Sequence, residues 1–574
     1  MGENISIRTG TIRIYHPNRF GFITIDISNV SIYFHKSGLI DQVEEGDRVS
    51  FDESKNNRGL IAINVRLIQP ANNPIIEPNK QLIDHNTVAD LSDGNISKRV
   101  IKSIAENWKL EAKLEETQKN YFYHFQEVNL ILNKSKYYII GRKGSGKSSI
   151  SEYILNQKRH DQFSEKLSFK NFPFNELYGL DNQKFTPPNQ YITLWKFLIY
   201  STVAKLMAGN EGIEPTIRAK LTEIYKPDPI RSLARTVSNW TAAEFGATVF
   251  GTGGKIKISK DCETQPADWI DRVNALEDLI LEYCDESNYF IIFDELDEDY
   301  GSIKLNEHML YKYLLTSLFK AVQDIKSIFK SSKINICPVI FLRDDIYSLI
   351  QDADKNKWRD FKIEIEWNAD KLKKLLAYRI SKDADSKDVL SFDSAWNLIF
   401  SHDTIKAGAG GAKTFNTFEY ITRSTHLRPR DYIRYFQVCC EETMNLKRNK
   451  ISNETIQFVD RAFSNYLKEE IVDELTPLLP EITEILQIIS NIRKQIFGTA
   501  EFKSEYMKYL KSKTVTEENV DYVIDTLYKF SILGNQNKHR PEVLYFKYMQ
   551  TNMNLNKNEN LVVHRGLFKA LQIL

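Results

Sequence analysis

Cysteine is scarce in this 574-residue chain: only Cys262, Cys284, Cys337, Cys439 and Cys440 occur. No two stand in CxxC spacing and no histidine pair lies near them, which argues against a zinc site or a disulfide framework. Charge of one sign is not in excess either, with 77 Lys+Arg against 76 Asp+Glu. Any nucleic-acid contact must therefore come from local patches. Apolar runs of the length needed for a membrane helix are missing. The opening MGENISIRTG lacks the apolar core of a secretory signal, so the expected location is cytoplasmic. No repeat of fixed period is visible. What is there, 42% hydrophobic and 27% charged residues, suits an ordinary globular protein of roughly four domain-sized units.

Residues 1–69 read as five short strands separated by Gly, Asn and Asp turns, which suggests a small closed barrel. Residues 70–95, with Pro70, Pro74 and Pro78, read as a linker. From 96 to 400 the pattern becomes α/β. Apolar strand runs at 136–140, 288–293 and 337–342, and a late or edge strand at 361–367, are spaced by helical stretches such as 310–329. That pattern predicts a mostly parallel sheet with helices on both faces. Residues 246–260 look like an inserted hairpin, and 405–415 like a mobile glycine loop. Residues 401–465 read as a helical lid and 466–574 as a helical, winged-helix-like unit. The expected fold class is thus multidomain, with an all-β barrel, an α/β core, an α-helical lid and a winged-helix-like end.

The segment from Gly141 to Ser148 fits GxxxxGK[ST] at every fixed position, follows an apolar strand and opens a helix. Glycines let backbone N–H groups turn inward around phosphate oxygens, and the helix N-terminus favours the same anion. The nucleotide-binding set is Gly141, Gly144, Ser145, Gly146, Lys147, Ser148 and Ser149. Lys147 reaches the β- and γ-phosphates and the Ser148 hydroxyl meets Mg²⁺. A second apolar strand ends in Asp294 and Glu295. Asp294 is the expected metal partner, and Glu295 the group that orients or deprotonates water. Glu298 and Asp299 continue an acidic run that reads as a solvated loop. Arg343, just past a third strand, reads either as a γ-phosphate contact or as an ion pair with Asp344 or Asp345. Arg428 and Arg430 flank Pro429 at a helix start, either as positive charge for the site or as a structural corner.

GRKGSGKSS, FIIFDELD, VIFLRDDIY and LRPRDYI, in that order, resemble bacterial P-loop ATPases of the AAA+/STAND grouping. The resemblance implies ATP and Mg²⁺ as cofactors, with sensor or finger roles for Arg343, Arg428 and Arg430. Arg343 replaces the small polar sensor usual in AAA+ proteins.

Residues 10–68 resemble a cold-shock domain, an oligonucleotide-binding barrel. Arg19 to Ile23 correspond to its first ribonucleoprotein motif and Ile32 to His35 to its second. Alternate residues share a strand face, so Phe20 and Phe22 project together, as do Tyr33 and His35. The expected nucleic-acid contacts are Arg13, Tyr15, Arg19, Phe20, Phe22, Tyr33, His35 and Lys36. Arg8, Arg13 and Arg19 fall in an acid-free stretch. Ile14 and Tyr15 stand where the family has tryptophan and phenylalanine, and Lys36 where it has another phenylalanine, so fewer rings are left to stack. The other reading of the barrel is a protein-docking module with these rings as core. Near the end, Lys538, Arg540, Lys547, Lys557, Arg565 and Lys569 outnumber two acids, as a duplex-facing surface or a solvated one.

The favoured expectation is an ATPase whose nucleotide state is coupled to single-stranded RNA or DNA on the barrel. The rival is a nucleotide-gated signalling or assembly protein of STAND type, with a homo-oligomer or protein effector as partner. Some proteins of that type act in bacterial antiviral defence.

Overall fold

Period-two alternation builds the first module. Strands β1 (Ile7–His16), β2 (Phe20–Ile25), β3 (Ser31–His35), β4 (Arg48–Asn56) and β5 (Gly59–Gln69) close into a barrel in the order β1-β2-β3-β5-β4. Ile12, Ile23, Ile32, Phe34, Val49, Phe51 and Val65 fill its interior. The computed structural model describes residues 7–16, 20–26, 31–56, 59–69, 94–111, 114, 121–157, 159–169, 177–178, 180–225, 250–251, 256–257, 269–297, 308–408, 411–550 and 552–573. Arg19, Glu298, Asp299 and all but the last two residues of the 70–95 linker lie outside these.

Strands β6 (Tyr138–Gly141) and β7 (Gln162–Ser168) are followed by the short ribbon β8 (Phe250–Gly251) and β9 (Ile256–Lys257), within the segment read as a hairpin. Then come β10 (Asn288–Asp294), β11 (Asn335–Arg343) and β12 (Lys362–Glu364). Five of these make one parallel sheet in the order β12-β6-β11-β10-β7. β10 and β11 sit inside it and are buried on both faces, as continuous apolar strands of a parallel sheet should be. One face is covered by helices Ile192–Ala208, Trp269–Tyr283 and His308–Ile328. The other carries helices Gln126–Leu132 and Lys147–Leu155. β6, β10 and β11 end together on one edge of this α/β sandwich, where ligands of open α/β sheets bind.

The helical region begins earlier than the 401 boundary drawn from sequence. Val100, Ile104 and Trp108 share an apolar core with Leu372, Leu376, Ile380, Trp396, Tyr432 and Phe436. Helix Gly94–Asn107 and helices Ala369–Asp383 and Phe392–Ile399 thus pack with the lid, although their sequence positions fall in the 96–400 segment. The glycine-rich stretch at 405–415 is a correction: it includes a hairpin of β13 (Thr404–Ala407) and β14 (Lys413–Asn416), with Gly408 and Gly411 between the two strands.

The last unit runs helix Ile482–Ile492, β15 (Ile496–Phe497), helices Thr499–Lys511 and Val520–Lys529, β16 (Leu533–Gln536), β17 (Leu544–Tyr545) and β18 (Asn560–Val563). Its sheet order, β15-β18-β16-β17, is winged-helix-like. After β18 comes a short 3-10 turn at Arg565–Leu567. Among the described residues no helix is long and apolar enough to cross a membrane.

Candidate functional site

β6 ends at Gly141, whose register partner on β11 is Arg343. The loop beyond turns through Gly144 (φ 78°) and Gly146 (φ 93°), backbone conformations that favour glycine, and enters helix Lys147–Leu155. Trp367 Nε1 donates to the Ser145 carbonyl (2.8 Å) and pins the loop. Lys147 Nζ folds back to donate to the carbonyls of Gly141 (2.7 Å) and Arg142 (3.0 Å). Burial lowers its pKa, against the nearby Asp297 and Asp344. Ser148 and Ser149 follow in the first helical turn.

Asp294 terminates β10 and is buried. Its Oδ2 accepts from Ser151 Oγ (2.8 Å) and pairs with Lys166 Nζ (2.8 Å), which also meets Glu152 (2.9 Å). Burial opposes the Asp294 charge, but Lys166 and Ser151 outweigh it and hold its pKa below the usual carboxylate range. Burial likewise opposes the Lys166 charge, and Asp294 and Glu152 outweigh it upward. Glu295 adopts φ 60° and turns its carboxylate to Ser168 Oγ at the end of β7.

The arginines converge on the loop. Arg343 pairs with Asp345 (2.6 Å), Asp297 (3.6 Å) and Glu474 (3.7 Å). Burial opposes its charge, and these three carboxylates more than compensate, raising its pKa. Of the two readings of Arg343, the ion pair with Asp345 is therefore present, beside the loop rather than away from it. Arg428 Nη1 donates to the Lys143 carbonyl (3.1 Å), and its Nε to Asp431 (2.7 Å). Arg430 packs on Gly144 and pairs with Glu470 (3.1 Å), which also faces Lys143 (3.8 Å). Arg142 donates to the His426 carbonyl (2.8 Å) and lies over the Tyr548 ring. Lys147, Arg343, Arg428 and Arg430 thus gather round the glycine loop, with Glu470 and Glu474 of helix Asn453–Leu475 among them.

Sequence reasoning missed Lys166, Ser151, Ser168, Glu470 and Glu474. The only available signal was the alternation of Ser164, Lys166 and Ser168 along β7.

The residues present fit a nucleotide. Ser145 Oγ, Arg428 Nη2 and Arg430 Nε are buried without a hydrogen-bond partner, and phosphate oxygens would satisfy such groups. One hydroxyl and one carboxylate, Ser148 and Asp294, suit Mg²⁺, which completes its shell with phosphate oxygens and water. Among the described residues no cluster of three His, Cys, Asp or Glu could hold a metal alone.

On the barrel, Phe20, Phe22 and Tyr33 meet with ring centroids 5.7 to 6.0 Å apart. Arg13 and Lys36 are exposed. His35 is exposed too, with Nδ1 2.8 Å from Ser37 Oγ. Tyr15 is a correction: it faces the interior, stacked on Phe34 at 5.9 Å. A register shift between Ile12 and Ile14 inserts one residue and reverses the faces beyond it. Arg8 is paired with Glu53 (3.1 Å). At the other end of the chain, Lys557 is paired with Asp521 and Asp525, Lys547 donates to the Met553 carbonyl, and Arg565 covers the Tyr420 ring.

Residues 8–68 match the family model of the 'Cold-shock' DNA-binding domain, and residues 370–472 that of the FunZ-associated C-terminal helical domain. A curated relative, the putative transposon gamma-delta 80.3 kDa protein of Escherichia coli (strain K12), is 19% identical over 487 residues. That match covers 77% of this chain, which spans only 63% of the relative's length. Among solved structures, the ORC2 protein of Aeropyrum pernix aligns at 13% identity and TM-score 0.35, over 81% of this chain and 91% of that one. CDC6P of Pyrobaculum aerophilum aligns at 11% and 0.26, over 78% and 89%. Drosophila ORC bound to DNA aligns at 10% and 0.26, over 87% and 97%. By sequence match and strand order together, the N-terminal barrel of this chain is a cold-shock domain.

Proposed function

We propose that this chain is a Mg²⁺-dependent ATP-binding and ATP-hydrolysing protein whose nucleotide state is coupled to single-stranded nucleic acid on its cold-shock barrel. The observation that carries this reading is the convergence of Lys147, Arg343, Arg428 and Arg430 on one glycine loop, beside the buried Asp294. Backbone N–H groups of the loop and Lys147 would hold the β- and γ-phosphates. Ser148 and Asp294 would hold the metal, which neutralises charge on the phosphate oxygens when bound. Glu295 would orient the attacking water once its carboxylate leaves Ser168. Arg343, Arg428 and Arg430 would contact the terminal phosphate, and positioning of this kind is most of what phosphoryl transfer requires. Aromatic rings on the barrel would stack unpaired bases, each contributing about 1–3 kcal/mol. The test is ATP turnover with and without single-stranded RNA or DNA at low salt. Unchanged turnover together with undetectable strand binding would remove the coupling.

A second reading, a nucleotide-gated assembly or signalling protein, is favoured by the carboxylates of Glu470 and Glu474 standing among the phosphate-site cations. Such a closed arrangement suits a switch better than a rapid enzyme. Size-exclusion chromatography with ATP and with Glu295→Gln separates the two. A stable ATP-dependent oligomer with slow turnover supports the switch, and rapid monomeric turnover supports the enzyme.

A further inference from the structure

The aromatic face of the barrel is not open. Phe20, Phe22 and Tyr33 are 8%, 6% and 9% exposed, although they lie outside the barrel interior. The α/β core helps to cover them from two loops. His160, between helix Lys147–Leu155 and β7, stacks on Tyr33 with centroids 4.2 Å apart and planes 12° from parallel. Its Nε2 lies 3.2 Å from the Leu60 carbonyl of β5. Gly212, between helices Ile192–Ala208 and Pro215–Ile224, packs so closely that a Cβ there would stand 2.9 Å from Phe20 Cε1. The second loop is held firmly. Gly212 N donates to Asn210 Oδ1 (2.8 Å), and Asn210 Nδ2 donates to Asp285 and Tyr289.

A flat imidazole stacked on a platform ring, with a ring nitrogen at a backbone carbonyl, repeats the interactions by which such a face holds an unpaired base. We propose that His160 is an internal substitute for a nucleobase, so that the α/β core and a single strand compete for one face of the barrel. This rests on reading the barrel as a strand-binding module. A strand binds only the fraction of molecules in which the barrel has left the core, and apparent affinity falls by that fraction. The docked ring lies on the segment joining the helix that begins with Lys147 to the strand carrying Lys166 and Ser168. The contact that hides the face is therefore continuous in sequence with the groups that hold Asp294 and Glu295.

The test is fluorescence anisotropy of labelled oligouridylate and oligothymidylate at low salt, using the full chain. His160→Ala should bind about tenfold more tightly than the unaltered protein, and His160→Phe, which keeps a stacking ring, should not. Adding Phe22→Ala to His160→Ala should remove the gain. Gly212→Ala, whose Cβ would meet Asp285 Oδ2 (2.7 Å) as well as Phe20 Cε1 (2.9 Å), should displace that loop from the platform and act in the same direction as His160→Ala. If His160→Ala and the unaltered chain bind equally while Phe22→Ala weakens both, the face is open and the competition is refuted, though the strand-binding reading stands. Equal gains from His160→Ala and His160→Phe would also refute the base-substitute role. Absence of binding in every form, His160→Ala included, would defeat the strand-binding reading itself.

Discussion

Lys166 Nζ lies 2.8 Å from Asp294 Oδ2, and both side chains are at most 6% exposed. The aspartate ends β10, in register with Ser168, and the lysine stands two residues earlier on the neighbouring edge strand β7. Removing one member of such a pair leaves the other buried and uncompensated. Lys166→Met should therefore lower stability by about 3 kcal/mol near neutral pH, and adding Asp294→Asn should restore most of it. Asp294 has its pKa held below 3.8 and Lys166 above 10.5. The contribution of the pair is thus full between those values, and lost as acid passes the depressed carboxylate or base passes the raised amine. In the unaltered protein this contribution to the urea midpoint should be constant from about pH 5 to 9 and fall only outside that window. In Lys166→Met the lone buried carboxylate takes up a proton more readily, so the difference between the two proteins should narrow toward acid.

The glycine loop and Asp294–Glu295 were legible because their chemistry needs fixed spacing at strand ends. β7 was not. Its residues Gln162–Ser168 are polar because the strand is at an edge and one face carries Lys166 to Asp294, so no apolar run announced it. Glu470 and Glu474 stand four apart on a long helix and look like an ordinary solvated face. Only tertiary packing brings them to Arg430 and Arg343. Tyr15 was assigned to the wrong side because a bulge is a property of strand pairing, and nothing in the residues at 12–14 marks it.

Glu470 and Glu474 hold cations that a triphosphate would also seek. Glu470→Gln with Glu474→Gln should tighten ATP binding by about tenfold, since the nucleotide no longer displaces two carboxylates. Arg343 keeps Asp345 and Asp297, and Arg428 keeps Asp431, so the loss of stability should be confined to Arg430 and Lys143, which give up the Glu470 carboxylate. Isothermal calorimetry reads the effect. Weaker binding would mean that the glutamates orient the arginines for the nucleotide rather than compete with it.

His564 and His426 are buried with ring centroids 4.5 Å apart, beside Tyr548 and Phe546 and faced by Arg142, Arg428 and Arg565. Burial first, then the arginines, pushes the His564 pKa down to about 3, and burial and His564 push His426 well below 6.5. Both rings are neutral when folded, whereas the unfolded chain takes up protons below 6.5. Stability is thus full above that value and is lost as pH falls below it, by up to ~1.4 kcal/mol per pH unit for each ring. His564→Asn keeps an acceptor for Gly566 N and should roughly halve the loss between about pH 6.5 and 5. Thermal midpoints measured against pH provide the check. An unaltered slope would place the acid sensitivity elsewhere.

Glu295 and Ser168 are joined across the β10–β7 pair, and this bond turns the carboxylate toward the sheet edge. If Glu295 is the water-orienting group, Glu295→Gln should cut ATP turnover by about 100-fold or more while leaving nucleotide binding near its starting value. Ser168→Ala removes the competing donor without touching the phosphate loop, so turnover without any strand should rise several-fold. Glu295→Gln combined with Ser168→Ala should be as slow as Glu295→Gln alone, because the serine acts only through the carboxylate. Phosphate release under saturating ATP, with binding followed separately by a fluorescent nucleotide, distinguishes rate from affinity. A Ser168→Ala protein slower than the parent would instead show that the serine positions Glu295 for the reaction, and the bond would then belong to the active arrangement.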